Sequence, residues 1–257
     1  MKENTTKPSI VEICDIPVVN TTRELFSEFA AYDMKECKSP FPKICFSLNG
    51  ESLSDYHCNK VFREVFKCAD YVHADGMSIV NISRILKVKN LRGRIATTDW
   101  FHDIAKISAK HRIRHFFLGA KPKTVAKVVE HVRKWYPDLP IAGYHHGYFS
   151  KIEEPDIIDK INKSKTDILW IALGRPKQEI FSITWKHALK VKWIKTCGGL
   201  FDFLALEKKR APLWIQKVNL EWAYRFSLEP KRLGSRYIRT GLLSSLIALK
   251  YLFKKTG

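Results

Sequence analysis

Apolar positions along the chain gather into short unbroken runs separated by amphipathic stretches. Residues 168–173 (ILWIAL) are the clearest run: bulky side chains follow one another without polar alternation, as in a strand covered on both faces of a parallel sheet. Further strands are predicted over 43–48, 71–74, 115–119, 141–144 and 191–197, with a short strand pair, or a strand and turn, over 11–19. Helical stretches fall between them. Thr21 or Thr22 is placed to cap a helix reaching about residue 32, and others are expected over 53–68, 77–86, 157–163 and 181–189. Thr98 is the expected cap of a helix ending near residue 111. Val125, Val128, Val129, Val132 and Trp135 recur at helical spacing and predict a core stripe. Strand and helix thus alternate without long linkers, repeats or low-complexity tracts. The fold class expected is α/β, a Rossmann-like, mostly parallel sheet with flanking helices.

The strands end in polar or glycine-bearing loops, which is where open α/β sheets bind ligands. After residue 173, Gly174 permits a tight turn and Pro176 suits a first helical turn, so Lys177, Gln178 and Glu179 sit at a helix N-terminus that favours anions. The plainer alternative is an ordinary strand-to-helix turn with solvated polar residues. The 43–48 strand ends in the same way, in Ser47-Leu48-Asn49-Gly50-Glu51, and Gly198, Gly199 and Asp202 follow the 191–197 strand. Asp75 closes the 71–74 strand just before Gly76. It reads either as a general base facing a crevice or as the cap of the helix starting near Met77. Adjacent histidines in an extended segment point to opposite sides, so His145 and His146 make a poor chelate for one metal.

Composition adds the partner. The 257 residues are 45% hydrophobic, enough for a sizeable core, and carry a formal charge of +19, which favours nucleic acid, an anionic membrane or phosphorylated small molecules. Six cysteines without a CxxC pair predict free thiols, no structural zinc and no disulfide. The first residues, MKENTTKPSI, lack the apolar stretch of a signal peptide, and no run reaches the roughly 18 apolar residues of a spanning helix. From Lys208 onward 12 Lys/Arg face only Glu221 and Glu229, a balance of +10 and more than half of the whole excess. Aromatic residues and the 13-residue apolar stretch 241–253 are interleaved with this charge. They suit an interfacial helix on anionic lipid, or else helices packed on the core with a solvated charged face. No nucleic-acid-binding motif accompanies them, so nucleic acid is not an expected partner. Two units are expected: an α/β domain over 1–207 and a helical basic appendage over 208–257.

The motifs Asn49-Gly50-Glu51, Ala74-Asp75-Gly76, Arg94 with Asp99, Phe117-Leu118-Gly119, Tyr136-Pro137, 145–149 (HHGYF), Gly174 with 176–179 (PKQE), Gly198-Gly199 with Phe201-Asp202, Arg210-Ala211-Pro212, Leu220-Glu221-Trp222 with Tyr224-Arg225, and 229–232 (EPKR) follow one another in an order that resembles the WecG/TagA/CpsF glycosyltransferases, glycosyltransferase family 26. The resemblance covers nearly the whole chain. It implies a GT-E type fold and an inverting enzyme on the inner face of the cytoplasmic membrane of bacteria. Such an enzyme moves a sugar, commonly N-acetylmannosamine or a relative, from a UDP donor to a polyprenyl-diphosphate-linked sugar in cell-surface polysaccharide synthesis, and some members self-associate. Carried over, the base is Asp75, the site hydroxyl is Ser47 in place of threonine, and Arg94, Arg225, Arg232 and Arg236 cover the leaving diphosphate. Donor contacts fall to Asn49, Gly174, Lys177, Gln178, Glu179, Gly198, Gly199 and Asp202. Gly50, Thr97 and Arg175 depart from the usual alanine, glycine and small residue. No Asp-x-Asp triplet occurs, so neither a metal nor any cofactor beyond the UDP-sugar substrate is expected. Another donor, such as UDP-glucose, is the alternative within the family; a basic nucleic-acid-binding module is the alternative outside it.

Overall fold

The computed structural model describes residues 7–36, 38–88, 91–212, 214–215 and 220–256. The chain opens with an antiparallel hairpin, β1 (Ser9–Ile13) and β2 (Ile16–Asn20), which realises the predicted strand pair. Six further strands form one parallel sheet: β3 (Lys43–Leu48), β4 (Tyr71–Ala74), β5 (His115–Gly119), β6 (Ile141–His145), β7 (Ile168–Ala172) and β8 (Trp193–Thr196). Their order is β4-β3-β8-β7-β5-β6. Both faces are covered, as the unbroken apolar runs require. On one face lie α2 (Gly50–Cys58), α3 (Lys60–Lys67), α4 (Met77–Ile85), α7 (Glu154–Lys163) and α8 (Lys177–Thr184), over Ile44, Phe46, Leu169, Ile171 and Ile194. On the other lie α1 (Arg23–Glu36), α5 (Thr97–His111), α6 (Pro122–Trp135) and α9 (Leu200–Leu204). That second face is aromatic: Trp100, Trp170 and Trp193 are fully buried beside Phe26, Phe101 and Phe117. Each such ring contributes roughly 1.5–3 kcal/mol by leaving water.

Local chemistry explains where the elements depart from the sequence reading. The helix expected over 53–68 is two, because Asn59 takes an extended conformation and accepts the Phe62 N–H at 3.0 Å, capping α3. Thr22 caps α1 through the Leu25 N–H (3.3 Å), and the helix continues to Glu36. The valine stripe of α6 is buried, but Trp135 is 41% exposed: at the last residue of the helix it slides off the core and packs against His102 and His131. Helix α5 has no side-chain cap from its own flank, so Thr98 does not play that part.

The basic C-terminal segment is helical in its described part, with α10 (Glu221–Leu228) followed by α11 (Pro230–Thr256). The latter has two unlike apolar faces. Thr240, Ser244 and Ala248 are buried against α2, where Ser54 and Gly50 approach them, while Ile247, Tyr251 and Leu252 join the core. On the opposite side Ile238, Leu242, Leu246, Leu249 and Phe253 are 46–73% exposed. No described helix is long and apolar enough to cross a membrane.

Docking of α11 on α2 therefore contributes to stability. Ala248→Glu, which drives a charge into that contact, is expected to cost about 2–3 kcal/mol in denaturant unfolding, whereas Leu249→Glu on the open face changes stability by less than about 0.5 kcal/mol.

Candidate active site

Parallel strands deliver all their last residues to one edge of the sheet, and the direction in which the chain then leaves shapes that edge. After β5 it turns to α6 on the aromatic face; after the neighbouring β7 it turns to α8 on the other. A crevice opens where adjacent connections part. A cleft of about 770 Å³ occupies this point, lined by Gly147, Tyr148, Phe149, Glu153, Gly174 and Lys177. The Lys177 ammonium stands 4.6 Å from the centre of the Phe149 ring, and Tyr148 is exposed. Gly174 and Gly198, at φ +76° and +51°, make turns that other residues adopt only with strain.

Three strands along, Asp75 directly follows β4, roughly 14 Å from β7 by strand spacing. Its carboxylate does not cap α4, whose N-cap Gly76 has no side-chain partner. Instead Oδ1 accepts the Thr97 N–H at 2.6 Å and the Thr97 hydroxyl at 2.8 Å, so it caps α5 from another strand. Oδ2 has no partner among the described residues, and the side chain is half-buried. Ser47, on the neighbouring strand in register with His73, lies 3.0 Å from the Thr97 hydroxyl and 3.2 Å from His73 Nε2. Below it the fully buried Lys195 of β8 donates to Ser47 Oγ at 2.7 Å and to the Thr196 carbonyl at 2.8 Å. Burial first, and the Lys195 charge second, hold His73 well below the ordinary histidine range, so its ring is neutral.

The loops between these two regions are tied together by the residues assigned to the donor. Asn49 Oδ1 caps α2 through the Glu51 and Ser52 N–H groups and also accepts from Arg175 at 3.2 Å. Arg175 pairs with Glu51 as well. Gln178 is buried; its Oε1 accepts the Gly198 N–H at 3.2 Å and its Nε2 donates to Glu179 Oε1 at 2.7 Å. Burial raises the Glu179 carboxyl above its usual range, and its Oε2 is unpartnered among the described residues. Gly199 is exposed at the start of α9, and Asp202 turns away to pair with Lys208 at 2.6 Å. The structure thus joins Gly174, Gln178, Glu179 and Gly198 into one scaffold with Lys177 at the cleft, and leaves Asp202 outside it.

Arg94 reaches the site edge because Ile95 runs beside β4, its N–H donating to Ala74 at 2.7 Å. Its guanidinium binds Glu221 of α10 at 3.1 Å; Glu221 also accepts from Arg210 at 3.4 Å, and Arg210 pairs with Asp99. Motifs more than a hundred residues apart meet in this one ion-pair network. Arg225, one turn beyond Glu221, lies 5.4 Å over the Phe203 ring. Arg232 and Arg236 fall on α11 with side chains outside the described residues. His145 and His146 do not diverge as expected: β6 ends at His145 and the rings come within 4.4 Å. The sequence reading missed Lys195 and His73. The signal for Lys195 was a lysine inside an apolar strand, where only a specific partner makes burial tolerable.

Comparison with known proteins agrees with this geometry. The profile of the Glycosyl transferase WecG/TagA/CpsF family matches residues 11–257. An N-acetylglucosaminyldiphosphoundecaprenol N-acetyl-beta-D-mannosaminyltransferase of Bacillus spizizenii is 33% identical over 68% of this chain and 66% of its own length, just under two thirds. The protein of the same name from Bacillus subtilis is 30% identical over 86% of this chain and 84% of its own length, and that of Staphylococcus aureus is 30% identical over 72% of each. With the parallel sheet, the strand-end crevice and a match from residue 11 to the last residue, this chain belongs to the WecG/TagA/CpsF family of glycosyltransferases.

Proposed function

We propose that this protein is an inverting glycosyltransferase that moves a sugar of the N-acetylmannosamine type from UDP to a sugar carried on a polyprenyl diphosphate. The arrangement of Asp75 carries the reading: at the edge where the parallel strands end, one oxygen is anchored by two donors while the other has no partner among the described residues. In a single displacement an acceptor hydroxyl attacks the anomeric carbon, its proton passes to Asp75 Oδ2, and the bond to the diphosphate breaks with inversion. A positioned base contributes about 10²–10⁴-fold to such a step. The nucleotide half of the donor is assigned to the cleft at Tyr148, Phe149 and Lys177, whose aromatic rings and cation match a base and a phosphate and whose volume is of ligand size. Growing charge on the leaving diphosphate is assigned to Arg94 and Arg225, with Arg232 and Arg236 from α11. The lack of an Asp-x-Asp triplet argues for side chains rather than a metal in this role. The names of the relatives support the acceptor class and the transferred sugar.

A membrane-borne acceptor calls for a membrane-facing surface, and the open face of α11 has the right chemistry. Its five large apolar residues are flanked by exposed Arg239, Lys250 and Lys254. Near an anionic surface each such cation is worth about 1 kcal/mol.

Asp75→Asn is expected to lower kcat by about 10²–10⁴-fold while leaving UDP binding and folding intact. The check is turnover over a panel of UDP-sugars with a water-soluble lipid-diphosphate acceptor; near wild-type kcat would move the base elsewhere. Leu242→Glu combined with Leu246→Glu, both on the open face, is expected to release the protein from anionic vesicles without lowering its Tm. Equal vesicle sedimentation of variant and wild type would remove the membrane face from α11.

A further inference from the structure

We infer that Lys195 is a positioning residue, whose buried ammonium heads a one-way hydrogen-bond chain through Ser47 and Thr97 that fixes the Asp75 carboxylate with its open oxygen toward the acceptor. The inference rests on the reading of Asp75 as the base. Its direction follows from counting protons. An ionised carboxylate only accepts, so the Thr97 hydroxyl donates to Asp75 Oδ1 at 2.8 Å. Thr97 then has no proton left for Ser47, and Ser47 is the donor in their 3.0 Å contact. With its own proton committed, Ser47 accepts from Lys195 at 2.7 Å and from His73 Nε2 at 3.2 Å. The neutral His73 ring meets the chain only through Nε2, its Nδ1 having no hydrogen-bond partner among the described residues. Each hydroxyl gives one bond and takes the rest, which exhausts its donors.

Strand register builds the chain. Lys195 pairs with Cys45 and Ser47 with His73, so all three polar side chains share the aromatic face and Lys195 extends one pleat along it to Ser47. A fully buried cation needs a counter-charge. Lys195 makes no direct ion pair among the described residues; its remaining contacts are the Thr196 carbonyl and the face of Trp100 at 6.0 Å. Two carboxylates are placed to compensate its charge. Glu179 does so through space, and Asp75 through two hydroxyls that can point only one way. Because Thr97 also caps α5 onto Asp75 by its N–H, tension on the hydroxyl chain sets how the carboxylate sits rather than whether the loop folds. Ser47 and Thr97 are the two links.

The test is a double-mutant cycle of Lys195→Met and Thr97→Val, read by denaturant unfolding and by kcat. Lys195→Met is expected to lower kcat roughly tenfold or more with the donor KM unchanged, a fraction of the general-base contribution. In the Thr97→Val background the same change should alter kcat by no more than about twofold, because the chain is already cut. Unfolding should show the matching coupling although the two residues do not touch. Should Lys195→Met fail to fold, Ser47→Ala breaks the chain at its midpoint and takes its place in the cycle. An unchanged kcat, or an equal loss in both backgrounds, overturns the proposal, and the latter would point to Glu179. Absence of transfer by the wild type to any lipid-diphosphate acceptor overturns the functional reading instead; the unfolding cycle then still decides the chain, with additivity rejecting it.

Discussion

Covering a parallel sheet on both faces is the constraint from which the rest of the molecule follows. Strands β4, β5, β7 and β8 are buried throughout and β3 nearly so, leaving no face to water, so each connection must carry a helix to one side or the other. The choice is made strand by strand: α2 and α8 leave β3 and β7 for one face, α6 and α9 leave β5 and β8 for the other. The strand-end edge is split by these departures, and polar side chains that would be solvated on a helix surface are drawn into the split. Gln178 shows the consequence. It is the second residue of α8, yet it is buried because the β8 turn closes over it and uses its amide to hold the Gly198 N–H.

Charge inside such a structure is tolerated only where it is compensated, and the site is organised by that requirement. Lys195 and His73 occupy a face otherwise built of tryptophan and phenylalanine. The imidazole is held neutral, and the ammonium runs into a chain of hydroxyls that ends at a carboxylate, each hydroxyl proton having an acceptor. The C-terminal helices are coupled to the same region by ion pairs of their own. Glu221 is shared between Arg94, which precedes α5, and Arg210 of the segment leading into α10. A diphosphate arriving at Arg94 would meet a guanidinium already aligned by a carboxylate, with α10 held beside it. Helix α11 then faces two ways, one side on α2 and the other carrying an exposed apolar stripe bordered by cations.

Much of this was legible in the residues. The strands over 43–48, 71–74 and 115–119 have the bounds read from their apolar runs, since a buried parallel strand writes its length directly as hydrophobicity. The loops bearing Asn49, Asp75, Gly174 and Gly198 were marked by glycine and polar residues at abrupt ends of such runs, and the order of the motifs identified the family. Other points depended on contacts that a linear pattern does not encode. Asn59 breaks a helix that periodicity joins, and Trp135 keeps helical spacing yet lies beyond the core.

Asp75 marks the division between the two kinds of information. Its identity, its place at a strand end and the turn made by Gly76 are local, so the sequence alone narrowed it to a base or a cap. The cap turned out to be for α5, whose start lies 22 residues downstream, and only one oxygen is spent on it. Lys195 was still less accessible: the partner that makes its burial tolerable is on a strand separated from it by 148 residues. Apolar periodicity determines which segments become strands and helices because it acts between neighbours in the chain. Which polar groups meet is decided by strand order, register and the face each connection takes, and those are settled only when the whole core closes.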